Sequence, residues 1–320
     1  MKKIIYLILA ITISCSSYNA QQIPLNSLYS YNSYMISPSE VGKVDETKIN
    51  LSQRQQWLGF DGGLSTIWLD AQTQINPKMG IGLKLGYDKV SFLERMQLDG
   101  SFGYHLMLDD NSDIHFGLSL GVIQGAMLNL DEIIGDEDDI VVMQSFNDIA
   151  FNSQFGLSYT YDDKLNIGFS FPQIYSSDIE ILGDTSYNLV KHRYFYSSYS
   201  MDLSEGVFFT PMLLVRSIKG LESQFDVFGN LNFNNTFWGG IGVRQEGGMV
   251  VNLGFAGGSF SFTYAYEFNK NGVAAFSSGS HEILLSLTFG KDSSIKEEEE
   301  EEENTQPLLE DEGSEEEDVE

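Results

Sequence analysis

The chain of 320 residues has a formal net charge of -28, with 42% hydrophobic and 13% aromatic residues. This length fits one or two ordinary domains, or one barrel that forms a single domain. The negative charge excludes nucleic acid as a partner, because its phosphates would be repelled. The charge is concentrated at the end of the chain, since residues 291–320 contain 16 acidic and 2 basic residues.

The first twenty residues have the organisation of a secretory signal peptide. Lys2 and Lys3 precede an apolar run, residues 4–13, that is too short to span a bilayer. We expect cleavage after Ala20, which leaves a mature chain without cysteine. The alternative is lipidation at Cys15, although the residues ahead of it form a weak lipobox. Cleavage therefore excludes disulfides, thiol catalysis and cysteine metal sites.

From residue 48 onward, apolar and polar residues alternate with a period of two, as in strands with one apolar face. In residues 259–268, for example, every second side chain is aromatic. No later segment has the roughly 18 to 20 continuous apolar residues that a membrane helix needs. Fourteen strands are predicted, near residues 48–57, 64–75, 79–88, 95–108, 112–124, 149–161, 164–171, 192–203, 206–216, 222–233, 236–245, 248–256, 258–268 and 281–289.

Three features favour a membrane barrel over a soluble sandwich. The polar faces are rich in Gly, Ser, Asn, Gln and Asp, and aromatic residues cluster near the strand ends. Very short connections alternate with ones that include the long segments 125–148, 172–191 and 269–280. We therefore predict an all-β fold, a closed antiparallel transmembrane β-barrel of the outer-membrane type with 14 strands. Short periplasmic turns and an even strand number place both termini in the periplasm.

Two segments lie outside the predicted barrel of residues 48–290. Residues 21–47 are predicted either to form a plug inside the barrel or to be a periplasmic leader. A plug would be held by Tyr29, Tyr31, Tyr34 and Met35. Residues 291–320 are low in complexity and repel one another, which predicts a disordered acidic periplasmic tail. The tail is either a solubilising extension or an electrostatic tether for a basic periplasmic partner.

Five segments resemble, in order, the PorP/SprF family of type IX secretion system membrane proteins. They are "AQQIPLNSLYSYNSYMISPSEVG" (20–42), "RQQWLGFDGGLST" (54–66), "GIGLKLGYDKV" (80–90), "FWGGIGVRQEGG" (237–248) and "FSSGSHEILLSLTF" (276–289). The resemblance covers most of residues 20–290. Residues 37–42 depart from the family's Asn-Pro-Ala-x-x-Gly-like signature, and the acidic tail is not a family hallmark.

The resemblance implies a non-enzymatic outer-membrane component of type IX secretion and gliding. Its implied role is to help export or anchor a cell-surface cargo protein, such as an adhesin. The implied partners are that secreted protein, the periplasmic ring, a peptidoglycan-binding lipoprotein and outer-membrane lipid. The alternative is a 14-stranded uptake channel for small or hydrophobic solutes, and an outer-membrane hydrolase comes third.

Six residues are candidate contacts with the lumen or with a partner: Arg54, Trp57, Asp88, Arg244, His281 and Glu282. Arg54 and Arg244 have the lumen phase of their strands, where they avoid the cost of about 2 to 4 kcal/mol for a charge on the lipid face. Their alternative role is a structural ion pair with a lumen carboxylate, such as Asp70, Asp99, Asp226 or Glu267.

No catalytic residue, cofactor or metal site is predicted. The four histidines, at positions 105, 115, 192 and 281, lack the spacing of metal ligands. Ser101 and His105 would lie roughly 13 Å apart along one strand, which is too far for a hydrogen bond.

Overall fold

A computed structural model describes residues 26–290, except residues 44, 61, 92, 128–146, 178, 183–184, 188–189, 219–221, 246 and 271–276. The predicted signal peptide and acidic tail lie outside the described residues. In the described part of the chain, no helix is long and apolar enough to cross a membrane.

The described residues form seventeen strands and three short 3-10 helices. The strands are β1 (Glu46–Gln55), β2 (Ser65–Asn76), β3 (Met79–Val90), β4 (Leu93–Asp109), β5 (Ser112–Met127), β6 (Asn147–Tyr161), β7 (Leu165–Ser176), β8 (Ile179–Leu182), β9 (Thr185–Tyr187), β10 (His192–Tyr199), β11 (Met201–Ser204), β12 (Val207–Ile218), β13 (Gln224–Phe233), β14 (Phe237–Arg244), β15 (Met249–Gly257), β16 (Phe260–Glu267) and β17 (Ser280–Gly290). The helices are Ser27–Ser30, Ser33–Met35 and Pro38–Glu40.

The wall of the barrel is one closed antiparallel sheet. Strands β10 and β11 form one wall strand interrupted at Ser200, because both pair with β12. Strand β7 pairs with β10, and the hairpin of β8 and β9 forms a separate sheet. Strand β17 lies beside β1, which closes the ring. The described residues therefore confirm the predicted fold, a closed barrel of 14 wall strands.

Two details differ from the sequence-based prediction. The connection predicted at 172–191 contains structure, because β7 continues to Ser176 and is followed by the β8–β9 hairpin. Strand β1 ends at Gln55, so Trp57 lies in the following turn rather than in the strand. The reason is a change of partner: past the strand, the backbone of Leu58 bonds to Ser278 and Gly279 instead of to β2.

The short connections at one end of the barrel are tight turns. Asp162 and Asp163, and likewise Asn234 and Asn235, have φ values between 51° and 53°. Two successive residues with positive φ form the type I′ turn, whose twist matches that of the flanking strands. Asn and Asp tolerate this conformation better than most residues do. We call this end the turn end and the opposite one, with the longer connections, the loop end.

The two faces of the wall differ in polarity, as the alternation predicted. Leu83, Ile241 and Val243 are more than half exposed on the outer face, whereas Asp99 and Asp226 are fully buried on the inner face. An apolar outer surface of this extent is far larger than a soluble monomer exposes. Lipid favours this surface, and closure of the sheet pairs the backbone groups that lipid cannot solvate. The protein is an outer-membrane β-barrel.

Candidate functional site

The lumen of the barrel is occupied by residues 26–43, here called the N-terminal segment. It contains the three 3-10 helices. These helices lie between wall strands on opposite sides of the lumen. The Tyr31 hydroxyl donates to Asn252 of β15 at 2.6 Å, and the Tyr34 hydroxyl donates to Ser101 of β4 at 2.7 Å. The segment is thus held between opposite walls of the lumen.

Near the loop end, four charged side chains surround Ser27. We call Arg54, Arg244, Glu267 and Glu282 the Ser27 clamp. Arg54 pairs with Glu267 at 2.6 Å and with Glu282 at 3.0 Å, and Arg244 pairs with Glu267 at 3.0 Å. The hydroxyl of Ser27 accepts hydrogen bonds from both arginines and donates to Glu267. The three best-paired candidates from the sequence, Arg54, Arg244 and Glu282, therefore meet at one site.

The clamp also binds the backbone of the segment. The two carboxylate oxygens of Glu282 accept hydrogen bonds from the backbone N–H groups of Ser27, at 2.6 Å, and Leu28, at 3.0 Å. Glu282 is 1% exposed and Arg54 is also 1% exposed, so water does not compete for these bonds. Hydrogen bonds to charged groups are stronger than neutral ones, and more so in a buried site.

The charges around the clamp are balanced. Asp226 accepts from Arg244 at 3.3 Å and from Arg216 at 3.4 Å. Together with the clamp, this gives three buried arginines and three buried carboxylates. Buried ions are tolerated when they are paired, and removing one member leaves its partner uncompensated. The clamp is therefore a charge-balanced anchor for the segment.

Apolar contacts reinforce the anchor. Leu28, Tyr29 and Ile36 of the segment join a buried cluster with wall residues that include Leu214 and Phe228. The rings of Tyr29 and Phe228 lie 5.7 Å apart in an edge-to-face arrangement, which is favourable for aromatic pairs. The segment is consequently bound to the wall by burial as well as by charge.

A second polar cluster lies midway along the lumen, around Lys84. Asp70 and Asp99 flank Lys84 on the adjacent strands β2 and β4. Asn32 of the segment donates to Asp70 at 2.6 Å, and the Lys84 ammonium lies 4.8 Å from the centre of the Tyr34 ring. Of the four carboxylates considered as arginine partners, Glu267 and Asp226 have that role, whereas Asp70 and Asp99 lie beside this lysine.

Glu40 anchors the segment toward the turn end. It pairs with Lys43 at 2.8 Å and accepts from Tyr196 at 2.6 Å and from Asn166 at 3.0 Å. Burial raises the pKa of the Glu40 carboxyl, but the charge of Lys43 and these hydrogen bonds outweigh burial and lower the pKa to about 2. Glu40 is therefore ionised at neutral pH despite its burial.

Glycines on the lumen face allow the segment to approach the wall. A Cβ atom added to Gly117 of β5 would overlap the backbone of Pro38. Only a residue without a side chain leaves room for this contact. The sequence predicts small residues on the inner face, but no pattern in it connects them with the segment that they accommodate.

The remaining three candidates lie elsewhere. Asp88 faces the lumen near the loop end and pairs with Arg95 at 2.6 Å. The rings of Trp57 and Phe60 lie edge-to-face in the turn after β1. His281 lies on the outer face of β17, where its Nδ1 is 2.7 Å from the hydroxyl of Tyr264. His281 is thus not in the lumen, because its neighbour Glu282 occupies the inward position.

The side chains considered for catalysis and metal binding have structural partners. Ser101 bonds to Tyr34 and Ser119. The Nδ1 atoms of His105 and His115 lie 2.6 Å apart, so one ring donates to the other. Among the described residues, no group of three or more His, Cys, Asp or Glu side chains is placed to hold a metal ion.

Several solved structures have a similar chain path. They include a Pseudomonas aeruginosa FadL homologue, at 10% identity and a TM-score of 0.45, covering 83% of this chain and 98% of that one. The Ralstonia pickettii toluene transporter TbuX has 8% identity and a TM-score of 0.48, covering 81% and 93%. The P. putida toluene transporter TodX has 8% identity and a TM-score of 0.49, covering 81% and 94%. No curated protein matches the chain.

A family model describes the chain more directly. The model of the type IX secretion system membrane protein PorP/SprF matches residues 18–287. This range contains the whole N-terminal segment, the clamp and nearly all of the wall. The chain therefore belongs to the PorP/SprF family, and it is an outer-membrane component of type IX secretion.

Proposed function

We propose that this protein is a non-enzymatic component of the type IX secretion and gliding machinery that helps to export or anchor one cell-surface protein. Family membership supports the assignment to this machinery. The occupied lumen supports a role other than solute uptake. The N-terminal segment is bonded to the wall at the Ser27 clamp, at Asp70 and at Glu40, so a solute would pass only if the segment moved. This occupancy is the observation that carries the proposal.

We place the turn end in the periplasm and the loop end outside the cell. Short turns on the periplasmic side are the rule in outer-membrane barrels. Strand β17 ends at the turn end, and we propose that residues 291–320, which lie outside the described part, are periplasmic. The proposal of a periplasmic N-terminus concerns residues before Asn26, which lie outside the described part. Asn26 itself bonds to Ser52 in the loop-side half of the lumen.

In this orientation, the loop end meets the secreted protein, and the turn end meets the periplasmic ring and the peptidoglycan-binding lipoprotein. Exposed carboxylates at the turn end include Asp109, Asp162 and Asp202. In this proposal, the strongly acidic residues 291–320 are on the same side. Complementary charge speeds association, so we propose that the tail tethers a basic periplasmic partner.

Deletion of the gene, followed by mass spectrometry of the cell surface and of the medium, tests the main proposal. We expect one secreted protein to lose its surface location, and a plasmid copy of the gene to restore it. Unchanged secretion together with lost growth on one solute would instead establish the uptake channel.

Cysteine labelling tests the orientation. Asp163→Cys lies in a turn and Ser278→Cys lies near the loop end. We expect a membrane-impermeant maleimide to label only Ser278→Cys on intact cells and both variants after lysis. Labelling of Asp163→Cys on intact cells would reverse the orientation.

Pull-down of periplasmic proteins tests the tether. Full-length protein should recover more of a basic partner than protein ending at residue 290, and 0.5 M salt should abolish the difference because it screens charge. Equal recovery by both proteins would reject the tether.

A further inference from the structure

The Ser27 clamp binds features that many polypeptides share. It recognises two consecutive backbone N–H groups through Glu282, and one small hydroxyl through Arg54, Arg244 and Glu267. Residues 26–28 of the segment contribute no charged side chain to these contacts. Because the arginines and carboxylates of this region already balance, a ligand that adds no charge is the one that fits.

Some buried hydrogen-bonding groups at the clamp and in the segment beside it have no partner in the described part of the chain. Among the described residues, three buried polar atoms here have no hydrogen-bond partner: Asn26 Oδ1, Tyr29 Oη and Arg54 Nε. A buried polar atom without a partner weakens the state that contains it. A polypeptide that pairs with Arg54 Nε, which stays in the wall when the segment leaves, would therefore gain a hydrogen bond that the segment does not make.

A cleft lies beside residues 26 and 29 of the segment. It is a cavity of about 40 Å³ between the segment and the wall, lined by residues that include Asn26, Tyr29, Trp68, Gln97, Gln173 and Tyr194. Gln97 and Gln173 lie near the loop-side ends of β4 and β7. The cleft is large enough for a small polar group beside Asn26 and Tyr29, the residues that carry unpaired atoms.

We propose that the Ser27 clamp is an exchangeable polypeptide-binding site, which holds this chain's residues 26–28 and releases them to an uncharged, serine- or threonine-containing stretch of the exported protein. This proposal rests on the proposed function for the identity of the second polypeptide. The geometry of the clamp supplies the chemistry of the ligand: an exposed pair of N–H groups, a hydroxyl beside them and no charge.

The test uses the full chain with a protease recognition sequence inserted between Asp45 and Glu46, which are both exposed. After purification in detergent and cleavage, the segment is held by non-covalent contacts alone. The probe is a fluorescent synthetic peptide with the sequence of residues 26–43, and its binding is followed by fluorescence anisotropy. We expect the peptide to replace the cleaved segment and bind with saturation.

Variants identify the clamp as the site of exchange. Glu282→Gln replaces two charged carboxylate oxygens with one neutral amide oxygen as the acceptor. We therefore expect about tenfold weaker peptide binding. A peptide with Ser27→Ala should bind weaker, and one with Ser27→Glu weakest, since it adds an unpaired carboxylate. The control Glu94→Gln removes a carboxylate outside the clamp, which pairs with Lys89 at 3.1 Å, and should bind like the unmodified protein.

Two results would overturn the inference. One is a cleaved segment that does not exchange with excess peptide, and the other is equal binding of the Ser27→Ala and Ser27→Glu peptides. Failure here is distinguishable from failure of the proposed function. Loss of one surface protein on gene deletion without peptide exchange rejects only the exchangeable site, whereas exchange with unchanged secretion rejects only the proposed function.

Discussion

The carboxylate of Glu282 accepts a hydrogen bond from the backbone N–H of Ser27 at 2.6 Å, across a separation of 255 residues in the sequence. The last strand of the barrel thereby holds the first described part of the chain. The same carboxylate pairs with Arg54 at 3.0 Å. Docking of the N-terminal segment and charge pairing in the lumen therefore depend on one side chain.

Glu282→Gln should destabilise the folded barrel by about 3 to 5 kcal/mol, because it leaves Arg54 buried with one partner fewer. Urea unfolding in lipid vesicles, followed by tryptophan fluorescence, measures the change. Glu94→Gln is the matched control and should shift stability by less than about 1 kcal/mol, since its ion pair is partly exposed. Equal effects of the two substitutions would contradict the role assigned to Glu282.

Gly117→Ala should displace the segment around Pro38, because the added methyl group overlaps its backbone. We expect a loss of about 1 to 3 kcal/mol in stability and faster proteolysis of the segment in the folded protein. Gly100→Ala is the control, since its Cβ would have no neighbour closer than 3.9 Å. If both variants are digested at the same rate, the close approach at Gly117 does not hold the segment.

Deletion of residues 26–43 should open the lumen. Planar lipid bilayers are expected to show larger conductance steps for the deleted protein than for the full chain, because the lumen that remains is lined by polar side chains. Heat-modifiable migration on gels confirms that the deleted protein still folds. Unchanged conductance of a folded, deleted barrel would show that the segment does not occlude the lumen.

Acid should weaken the turn-end anchor only at low pH. The pKa of Glu40 in the folded protein is about 2, below its ordinary value of 4.5, so its contribution is complete above about pH 4.5 and is lost as the pH falls toward 2. A shift of this size corresponds to about 3 kcal/mol. The stability difference between the unmodified protein and Glu40→Gln should shrink across this range. A constant difference down to pH 2.5 would contradict the prediction.

The sequence was sufficient to predict the wall of the barrel, because lipid outside and polar groups inside impose a pattern that each strand carries locally. All fourteen predicted wall strands are present. The inward direction of Arg54 and Arg244 followed from the same alternation. His281 points to the outer face because it is adjacent to Glu282, and side chains at successive positions of a strand point to opposite faces. Its contact with a partner stays a prediction.

The partners across the lumen could not be predicted, because they join residues that are distant in sequence and depend on how the ring closes. Nothing in the pattern pairs Arg54 with Glu282, or Ser27 with either. The sequence by itself determined a closed barrel with an apolar outer face, a polar lumen and membership of a secretion family. Only the tertiary structure decided that residues 26–43 lie in that lumen, because burial and charge pairing at the Ser27 clamp arise when opposite walls face one another.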